Sequence, residues 1–322
     1  MRSSTATRLV AAILATLAAP CAPAVAAPLE APGPQGPLAG TLLMPAAANP
    51  PVALIIPGSG PTDRDGDSPL GIKAAPYRLL AQALAARGIA SLRIDKRGLF
   101  GSAGALADAN AVTLDDYAAD IHAWVKVLKA RTGAACIWLV GHSEGGLVAL
   151  KAAADTDGLC GIVLLATPGR PMGEVLRRQF RANPANAPYR AAAFEAIAAL
   201  EAGRHVDPAT LAPPLRPLFA PPLQRFLISA FAFDPAPALA GLRLPALIVQ
   251  GGRDLQVSDA DARRLAAARP TAGLVRLPDV NHVLKRVATD DRAANLATYA
   301  EADLPLAPGV VEAVAGFIIA AR

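Results

Sequence analysis

The chain has few aromatic side chains, few charges and no long apolar run after its first residues. Aromatic residues make up 4% of the 322 positions and charged residues 18%, with a formal net charge of +5. Nucleic-acid-binding domains usually carry a basic stripe with stacking aromatics, so this composition argues against a nucleic-acid partner. No later segment approaches the roughly 20 apolar residues of a membrane span. Hydrophobic residues nevertheless reach 53%, which is enough for a sizeable core.

The first residues have the pattern of a signal peptide. Arg2 and Arg8 precede a short apolar stretch at residues 9–19. Small residues follow at positions 24–26, as at the sites that a signal peptidase cleaves. We therefore expect residues 1–26 to be removed and the mature protein to be periplasmic or secreted. A membrane anchor is one alternative, although the stretch is short. A lipoprotein attached through Cys21 is another.

Cysteine is scarce, with three residues in the whole chain. Removal of the signal peptide would leave Cys136 and Cys160, and each lies just before an apolar run, at residues 137–140 and 162–165. If these runs are adjacent parallel strands, both cysteines lie at the same end of the sheet, and a disulfide between them is possible in an exported protein. Two buried free thiols are the alternative. No histidine is placed to activate either cysteine as a nucleophile.

Short apolar runs alternate with amphipathic stretches along most of the chain. The runs predict strands at residues 40–44, 52–56, 89–94, 137–140, 162–165, 246–250 and 274–277, and the amphipathic stretches predict helices at 77–87, 113–129, 143–154, 259–268 and 308–320. This order predicts an α/β fold with a mostly parallel sheet and helices on both faces. Residues 169–240 depart from it, with helical pieces near 172–181 and 189–202, and predict a helical insertion, which we call the cap segment. The core would then comprise residues 28–168 and 241–322.

One pentapeptide has the pattern of a nucleophile. Gly141-His142-Ser143-Glu144-Gly145 follows an apolar strand and precedes a helical pattern, the context that a G-x-S-x-G nucleophile elbow requires. The glycines would allow the sharp turn, and Ser143 would project above a helix N-terminus, where developing negative charge is favoured. A glycine-rich turn without chemical meaning is the alternative.

A serine nucleophile needs a base, and the chain has only four histidines. His122 precedes Ser143 within a predicted helix, His142 belongs to the elbow and points away, and His205 lies in the cap segment. Only His282 follows a late strand, so we predict that it is the base.

The acid should lie between the serine and the histidine in the chain, at the end of a strand. Asp254 follows the strand at residues 246–250 and fits this position. Four other aspartates compete with it: Asp234, Asp259, Asp261 and Asp279. In the predicted triad, Ser143 attacks a carbonyl, His282 takes and returns the proton, and Asp254 holds the imidazole. The backbone N–H groups of Ser59 and Glu144 would form the oxyanion hole.

Five segments together resemble the α/β-hydrolase family, in particular its bacterial esterase and serine aminopeptidase-like branch. They are IIPGSGPTDRDG at residues 55–66, DKRGLFGS at 95–102, GHSEGG at 141–146, QGGRDLQV at 250–257 and NHVLK at 281–285. The second is similar to the branch's D-x-R-G-x-G-x-S turn with one additional residue. The resemblance spans residues 38–319 and implies the α/β-hydrolase fold, the same triad, and a small-molecule substrate cleaved without cofactor or metal.

The resemblance implies hydrolysis of carboxylic esters with small to medium acyl groups. A serine aminopeptidase is an alternative, and it would need an acidic group to bind the substrate's amino terminus. The available acids of the cap segment are Glu174, Glu195, Glu201 and Asp207. A non-catalytic binding protein on the same scaffold is a second alternative.

Two further groups of residues have two interpretations each. Asp63, Arg64, Asp65 and Asp67 form either a metal-binding loop or a solvated loop held by internal ion pairs. Four phenylalanines of the cap segment line either an acyl pocket or a small core of the segment itself: Phe219, Phe226, Phe231 and Phe233.

Overall fold

The computed structural model describes residues 24–321, so most of the predicted signal peptide, with Cys21, lies outside the described residues. The strands are β1 (Val25–Pro32), β2 (Pro37–Met44), β3 (Val52–Ile56), β4 (Ala90–Ile94), β5 (Ile137–His142), β6 (Leu159–Leu165), β7 (Ala246–Gly251) and β8 (Gly273–Leu277). They form one sheet in the order β1-β2-β4-β3-β5-β6-β7-β8. The strands β3 to β8 run parallel to one another, and β2 is antiparallel to both of its neighbours, β1 and β4. The predicted mostly parallel sheet is thus confirmed.

Strand β1 is absent from the sequence-based prediction. It pairs with β2 over its whole length, from Val25 opposite Met44 to Pro32 opposite Pro37. The small residues at its start have the composition of a cleavage site, which concealed the strand. Cleavage after Ala26 would leave the pairs from Ala27 onward in place.

Helices cover both faces of the sheet. They are α1 (Pro76–Ala85), α2 (Leu114–Thr132), α3 (Glu144–Ala152), α4 (Met172–Ala182), α5 (Arg190–Glu201), α6 (Pro221–Ala232), α7 (Pro235–Gly241), α8 (Asp259–Ala268), α9 (Arg292–Ala297) and α10 (Val310–Ala320). None of the helices within residues 24–321 has the length and apolar character needed to cross a bilayer.

The core consists of two apolar layers, one on each face of the sheet. In β3, Leu54 faces the layer that contains Trp124 of α2, whereas Ile55 faces the layer that contains Leu80 of α1 and Val314 of α10. All five residues of β3 are buried, as expected for a central parallel strand covered on both faces. These layers fix the carboxyl ends of β3, β4, β5 and β7, from which the candidate site is built.

The cap segment lies between β6 and β7 and contains α4 to α7. Phe219 and Phe231 are buried in a separate apolar cluster of this segment, together with Ile197. Phe226 and Phe233 pack instead against the main core. Phe219 and Phe231 therefore belong to a small core of the segment itself, as one of the two interpretations predicts.

A disulfide joins Cys136 and Cys160, whose Cα atoms lie 5.1 Å apart. Cys136 immediately precedes β5 and Cys160 lies near the start of β6, so the bridge is at the amino end of two paired strands. Ser143 follows the carboxyl end of β5, and the disulfide is therefore remote from it along the strand.

Candidate active site

Ser143 lies in the sharp connection between β5 and α3. Its φ of 54° and ψ of −122° place a non-glycine residue in an unfavourable backbone conformation. Two backbone hydrogen bonds hold it there, from the N–H of Ser143 to the carbonyl of Leu165 at 2.8 Å and from the N–H of Gly146 to the carbonyl of Ser143 at 2.9 Å. The side chain remains partly exposed, so its hydroxyl is accessible.

The glycines of the pentapeptide are required by close backbone contacts. A Cβ on Gly141 would lie 2.3 Å from the carbonyl oxygen of Gly145, and a Cβ on Gly145 would lie 2.3 Å from that of Ile56. Any other residue would force β3, β5 and α3 apart. The G-x-S-x-G spacing is thus a packing requirement of this turn.

Asp254 and His282 are brought together as the sequence predicts. Oδ2 of Asp254 lies 2.8 Å from Nδ1 of His282, and both side chains are buried. The other carboxylate oxygen, Oδ1, accepts the N–H groups of Gln256 at 2.7 Å and Val257 at 2.9 Å. The carboxylate is therefore held in one orientation, and it leaves Nε2 of His282 as the imidazole nitrogen available for proton transfer.

The loop after β8 that contains His282, which we call the histidine loop, lies directly against the elbow. The ring centroids of His282 and His142 are 4.8 Å apart, which places His282 beside the residue that precedes Ser143. Within residues 24–321 the Ser143 hydroxyl makes no hydrogen bond. Hydrogen bonds between a nucleophile and its base are often long without substrate and shorten when it binds.

The other candidate acids have different partners. Asp234 caps α7 and pairs with Arg264, and Asp259 pairs with Arg276. Asp261 is hydrogen-bonded to Ser258 and Arg170. The backbone carbonyl of Asp279 accepts the N–H of Val287. None of the four bonds to His282. Of the remaining histidines, His205 contacts Gln224 in the cap segment at 3.1 Å, and His122 lies on α2.

His142 has a structural position that the sequence did not reveal. It is buried, its Nδ1 lies 2.8 Å from the hydroxyl of Tyr77, and its Nε2 lies 2.8 Å from the carbonyl oxygen of His282. Burial lowers the pKa of His142 to about 3, with a smaller contribution from the neighbouring His282. His142 is therefore neutral at ordinary pH, and it joins the elbow to the histidine loop.

The two predicted oxyanion donors belong to two segments that adjoin Ser143. Glu144 is the first residue of α3, so its N–H has no partner within the helix. Ser59 follows Gly58 in the loop after β3, at residues 57–60, which we call the oxyanion loop. A Cβ on Gly58 would lie 3.3 Å from the Cβ of Ser143. The N–H of Ser59 has no acceptor among the described residues. Neither N–H group thus has an acceptor among residues 24–321, as oxyanion donors require before substrate binds.

Two buried side chains hold Gly58 itself. The N–H of Gly58 donates to the hydroxyl of Tyr77 at 3.0 Å, and Nζ of Lys96 donates to the carbonyl oxygen of Gly58 at 2.7 Å. Sequence analysis predicted neither contact. Lys96 could have been noticed as a basic residue at the end of a buried strand, within the DKRG segment, whereas nothing in the sequence around Tyr77 indicates its partner.

Residues 63–67, which follow the oxyanion loop, are held by hydrogen bonds and ion pairs. Oδ1 of Asp63 accepts the N–H groups of Asp65, Gly66 and Asp67 at 2.8–2.9 Å. Arg64 pairs with Asp95, and Asp65 pairs with Arg93. Among residues 24–321, no cluster of three or more His, Cys, Asp or Glu side chains could hold a metal ion.

Comparison with known proteins agrees with this architecture. The model of the alpha/beta hydrolase family matches residues 53–298. Esterase EstD of Thermotoga maritima is 27% identical over 252 residues, which are 77% of this chain and 58% of that protein. The chain thus spans little more than half the length of this curated relative.

Solved structures share the fold at lower identity. The Pyrococcus furiosus esterase Pf2001 is 18% identical, with a TM-score of 0.55, over 81% of this chain and 84% of that one. Est1E from Butyrivibrio proteoclasticus is also 18% identical, with a TM-score of 0.55, over 91% of this chain and 98% of that one. At this identity the likeness concerns the fold.

Proposed function

This chain belongs to the alpha/beta hydrolase family, and we propose that it is a serine hydrolase that cleaves carboxylic esters through an acyl-enzyme on Ser143. The observation that carries the proposal is the 2.8 Å contact between Asp254 and His282, beside a serine held in strained backbone. The name of the Thermotoga maritima relative supports ester hydrolysis as the reaction.

The proposed reaction follows from the roles of these groups. Nε2 of His282 accepts the proton of the Ser143 hydroxyl while Oγ attacks the ester carbonyl. The carboxylate of Asp254 keeps the other imidazole proton on Nδ1 and stabilises the imidazolium. The N–H groups of Ser59 and Glu144 bind the oxyanion of the tetrahedral intermediate. His282 then protonates the leaving alcohol, and water releases the acyl group by the same sequence of steps.

Two of the four acids of the cap segment are poor candidates for the amine-binding group that an aminopeptidase would need. Glu174 is paired with Arg170 at 2.8 Å, and Glu201 is paired with Arg177 at 2.5 Å. Asp207 caps a short 3₁₀ helix, and Glu195 is exposed on α5. A substrate ammonium would have to displace an arginine from either paired glutamate, which makes these residues poor amine-binding sites.

A non-catalytic binding protein would have no need of a strained serine. Backbone strain of this kind costs of the order of 1–3 kcal/mol and is characteristic of functional positions. The strain at Ser143, the N–H groups of Ser59 and Glu144 without acceptors among the described residues, and the buried Asp254–His282 pair together support a catalytic site.

We also propose that the protein is exported and that residues 1–26 are removed. The disulfide between Cys136 and Cys160 supports this location, because such bonds persist in oxidising compartments. N-terminal sequencing of protein secreted by a bacterial host should begin at residue 27 or 28. Retention of Arg2 in the exported protein would contradict cleavage.

A substrate panel tests the proposed reaction. The purified protein should hydrolyse p-nitrophenyl acetate, butyrate and octanoate with higher kcat/KM than p-nitrophenyl palmitate, and it should hydrolyse aminoacyl p-nitroanilides more slowly than any of the three short esters. Faster turnover of the anilides would support the aminopeptidase instead. Ester turnover that is equal in the wild type and in Ser143→Ala would exclude this site as its source.

A further inference from the structure

Both backbone polar groups of Gly58 are bound by buried side chains. The Tyr77 hydroxyl accepts its N–H at 3.0 Å, and the Lys96 ammonium donates to its carbonyl oxygen at 2.7 Å. The peptide units before and after Gly58 are therefore each held by one side chain from a different element, α1 and the turn after β4. These two hydrogen bonds thus keep Gly58 in one backbone conformation, although glycine can adopt many.

The bond to Lys96 also determines the direction of the Ser59 N–H. The carbonyl of Gly58 and the N–H of Ser59 belong to one planar peptide unit. No cis peptide occurs among the described residues, so these two groups point in opposite directions. Because Lys96 binds the carbonyl oxygen, the N–H of Ser59 must point away from the ammonium, and it remains without a protein acceptor.

A buried carboxylate holds Lys96 in turn. Nζ of Lys96 lies 3.5 Å from Oε1 of Glu144, and both side chains are almost fully buried, at 7% and 4% exposed. The backbone N–H of Glu144 is the other proposed oxyanion donor. Through Lys96, the ion pair therefore connects the Gly58–Ser59 peptide, which contains the Ser59 N–H, to Glu144, whose backbone N–H is the second donor.

Stability alone does not account for this ion pair. Removing two charges from water costs several kcal/mol for each ion, and apolar side chains of similar volume are often as stable or more stable. A buried pair whose ammonium binds the backbone of the oxyanion loop has a local role that an apolar pair could not perform. An ammonium on the carbonyl also polarises the peptide, which strengthens the Ser59 N–H as a donor.

We propose that Lys96, held by Glu144, is a positioning residue for the oxyanion hole: it binds the carbonyl of Gly58 and so aims the N–H of Ser59 at the developing oxyanion. This role rests on the proposed function, because it concerns the same tetrahedral intermediate on Ser143. Lys96 acts through the peptide and does not contact the substrate.

Lys96→Met tests the role, with Arg97→Met as the matched control. Arg97 is the next residue, is equally buried and pairs with Asp120 at 2.6 Å, without contact to Gly58. With p-nitrophenyl butyrate, Lys96→Met should lose about 10²-fold in kcat, at the lower end of the effect of removing an oxyanion donor. Its KM should stay within about threefold, because the interaction forms in the transition state. Arg97→Met should lower the Tm but keep kcat within about threefold, because the hydrogen bonds of Arg97 go to Asp116 and Asp120 and none goes to Gly58.

A boronic acid inhibitor separates positioning from a general structural loss. Its adduct with Ser143 is tetrahedral and negatively charged, so its inhibition constant should rise in Lys96→Met by about the same factor as kcat falls. If Lys96→Met does not fold, Lys96→Met/Glu144→Gln buries no unpaired charge and should show the same two losses.

The outcomes distinguish the inference from the function on which it rests. A wild type that hydrolyses esters, with a Lys96→Met variant that keeps either its kcat or its affinity for the boronic acid, overturns the positioning role alone. Equal losses in Arg97→Met also overturn it. A wild type without ester turnover overturns the proposed function, and the positioning role with it.

Discussion

The hydroxyl of Tyr77 lies 2.8 Å from Nδ1 of His142. The carbonyl oxygen of His282 can only accept a hydrogen bond, so Nε2 of His142, 2.8 Å away, carries the imidazole hydrogen. Nδ1 of the neutral ring therefore accepts the proton of the Tyr77 hydroxyl, which itself accepts the N–H of Gly58. The chain of bonds from Gly58 to His282 thus fixes one neutral tautomer and connects the oxyanion loop, the elbow and the histidine loop.

The neutral state of His142 predicts a loss of stability in acid. An unfolded histidine has a pKa near 6.5, whereas burial lowers that of folded His142 to about 3. The folded state therefore binds fewer protons between these values, and its free energy of unfolding falls as the pH falls through this range. The contribution of His142 should decrease by about 2 kcal/mol from pH 7 to pH 5.

Urea unfolding at the two pH values measures this effect. The control is His142→Asn, whose side chain does not titrate, and we expect its free energy of unfolding to decrease by about 2 kcal/mol less over the same interval than that of the wild type. The same pH dependence in both proteins would show that His142 titrates normally in the folded state.

Tyr77→Phe should reduce both stability and turnover. The variant leaves the buried N–H of Gly58 and Nδ1 of His142 without a partner, at a cost of about 1–3 kcal/mol for each group. The oxyanion loop should also lose its orientation, so we expect kcat to fall about tenfold. Thermal unfolding and p-nitrophenyl butyrate hydrolysis measure the two losses.

Tyr117→Phe is the matched control for this substitution. Tyr117 is also buried, but its hydroxyl makes no hydrogen bond within residues 24–321. Its removal should leave both the Tm and kcat close to those of the wild type. Equal effects of the two substitutions would mean that loss of any buried hydroxyl explains the result.

Asp254→Asn should lower kcat by about 10³- to 10⁴-fold, because an amide no longer selects the imidazole tautomer that leaves Nε2 free. Asp261→Asn serves as the comparison, since Asp261 is the most buried of the competing acids and bonds Ser258 and Arg170 instead. It should be less stable but similarly active. The account of the acid is wrong if Asp261→Asn is the more damaging variant in steady-state kinetics.

The disulfide should stabilise the protein without affecting catalysis. It connects residues 24 positions apart, and closing a loop of that size stabilises a protein by about 3 kcal/mol. Cys136→Ser/Cys160→Ser should therefore lower the free energy of unfolding by about this amount at unchanged kcat. Thiol titration of the denatured, unreduced wild type should detect no free thiol from this pair, and two free thiols would contradict the bridge.

The parts of the site that could be predicted from the sequence are those with local patterns. Ser143 is flanked by glycines at a spacing that the backbone contacts require, and Asp254 and His282 each follow a strand in the expected chain order. The sheet was predictable because continuous apolar runs are typical of buried parallel strands.

The remaining features depend on contacts between distant residues. Tyr77 and His142 are 65 positions apart, and Lys96 and Gly58 are 38 apart. No local pattern indicates that an α1 tyrosine or a lysine after β4 binds the oxyanion loop, because the fold alone brings them together. Strand β1 was missed for another reason: its small residues have the composition of a cleavage site.

Covalent labelling of the nucleophile tests the central claim most directly. A fluorophosphonate probe should add one adduct to the folded wild type, and peptide mass spectrometry should locate it on Ser143. His282→Ala should label far more slowly, because the hydroxyl then lacks its base. Ser143→Ala should not be labelled at all. An unlabelled, folded wild type, or an adduct that persists in Ser143→Ala, would contradict the assignment of Ser143 as the nucleophile.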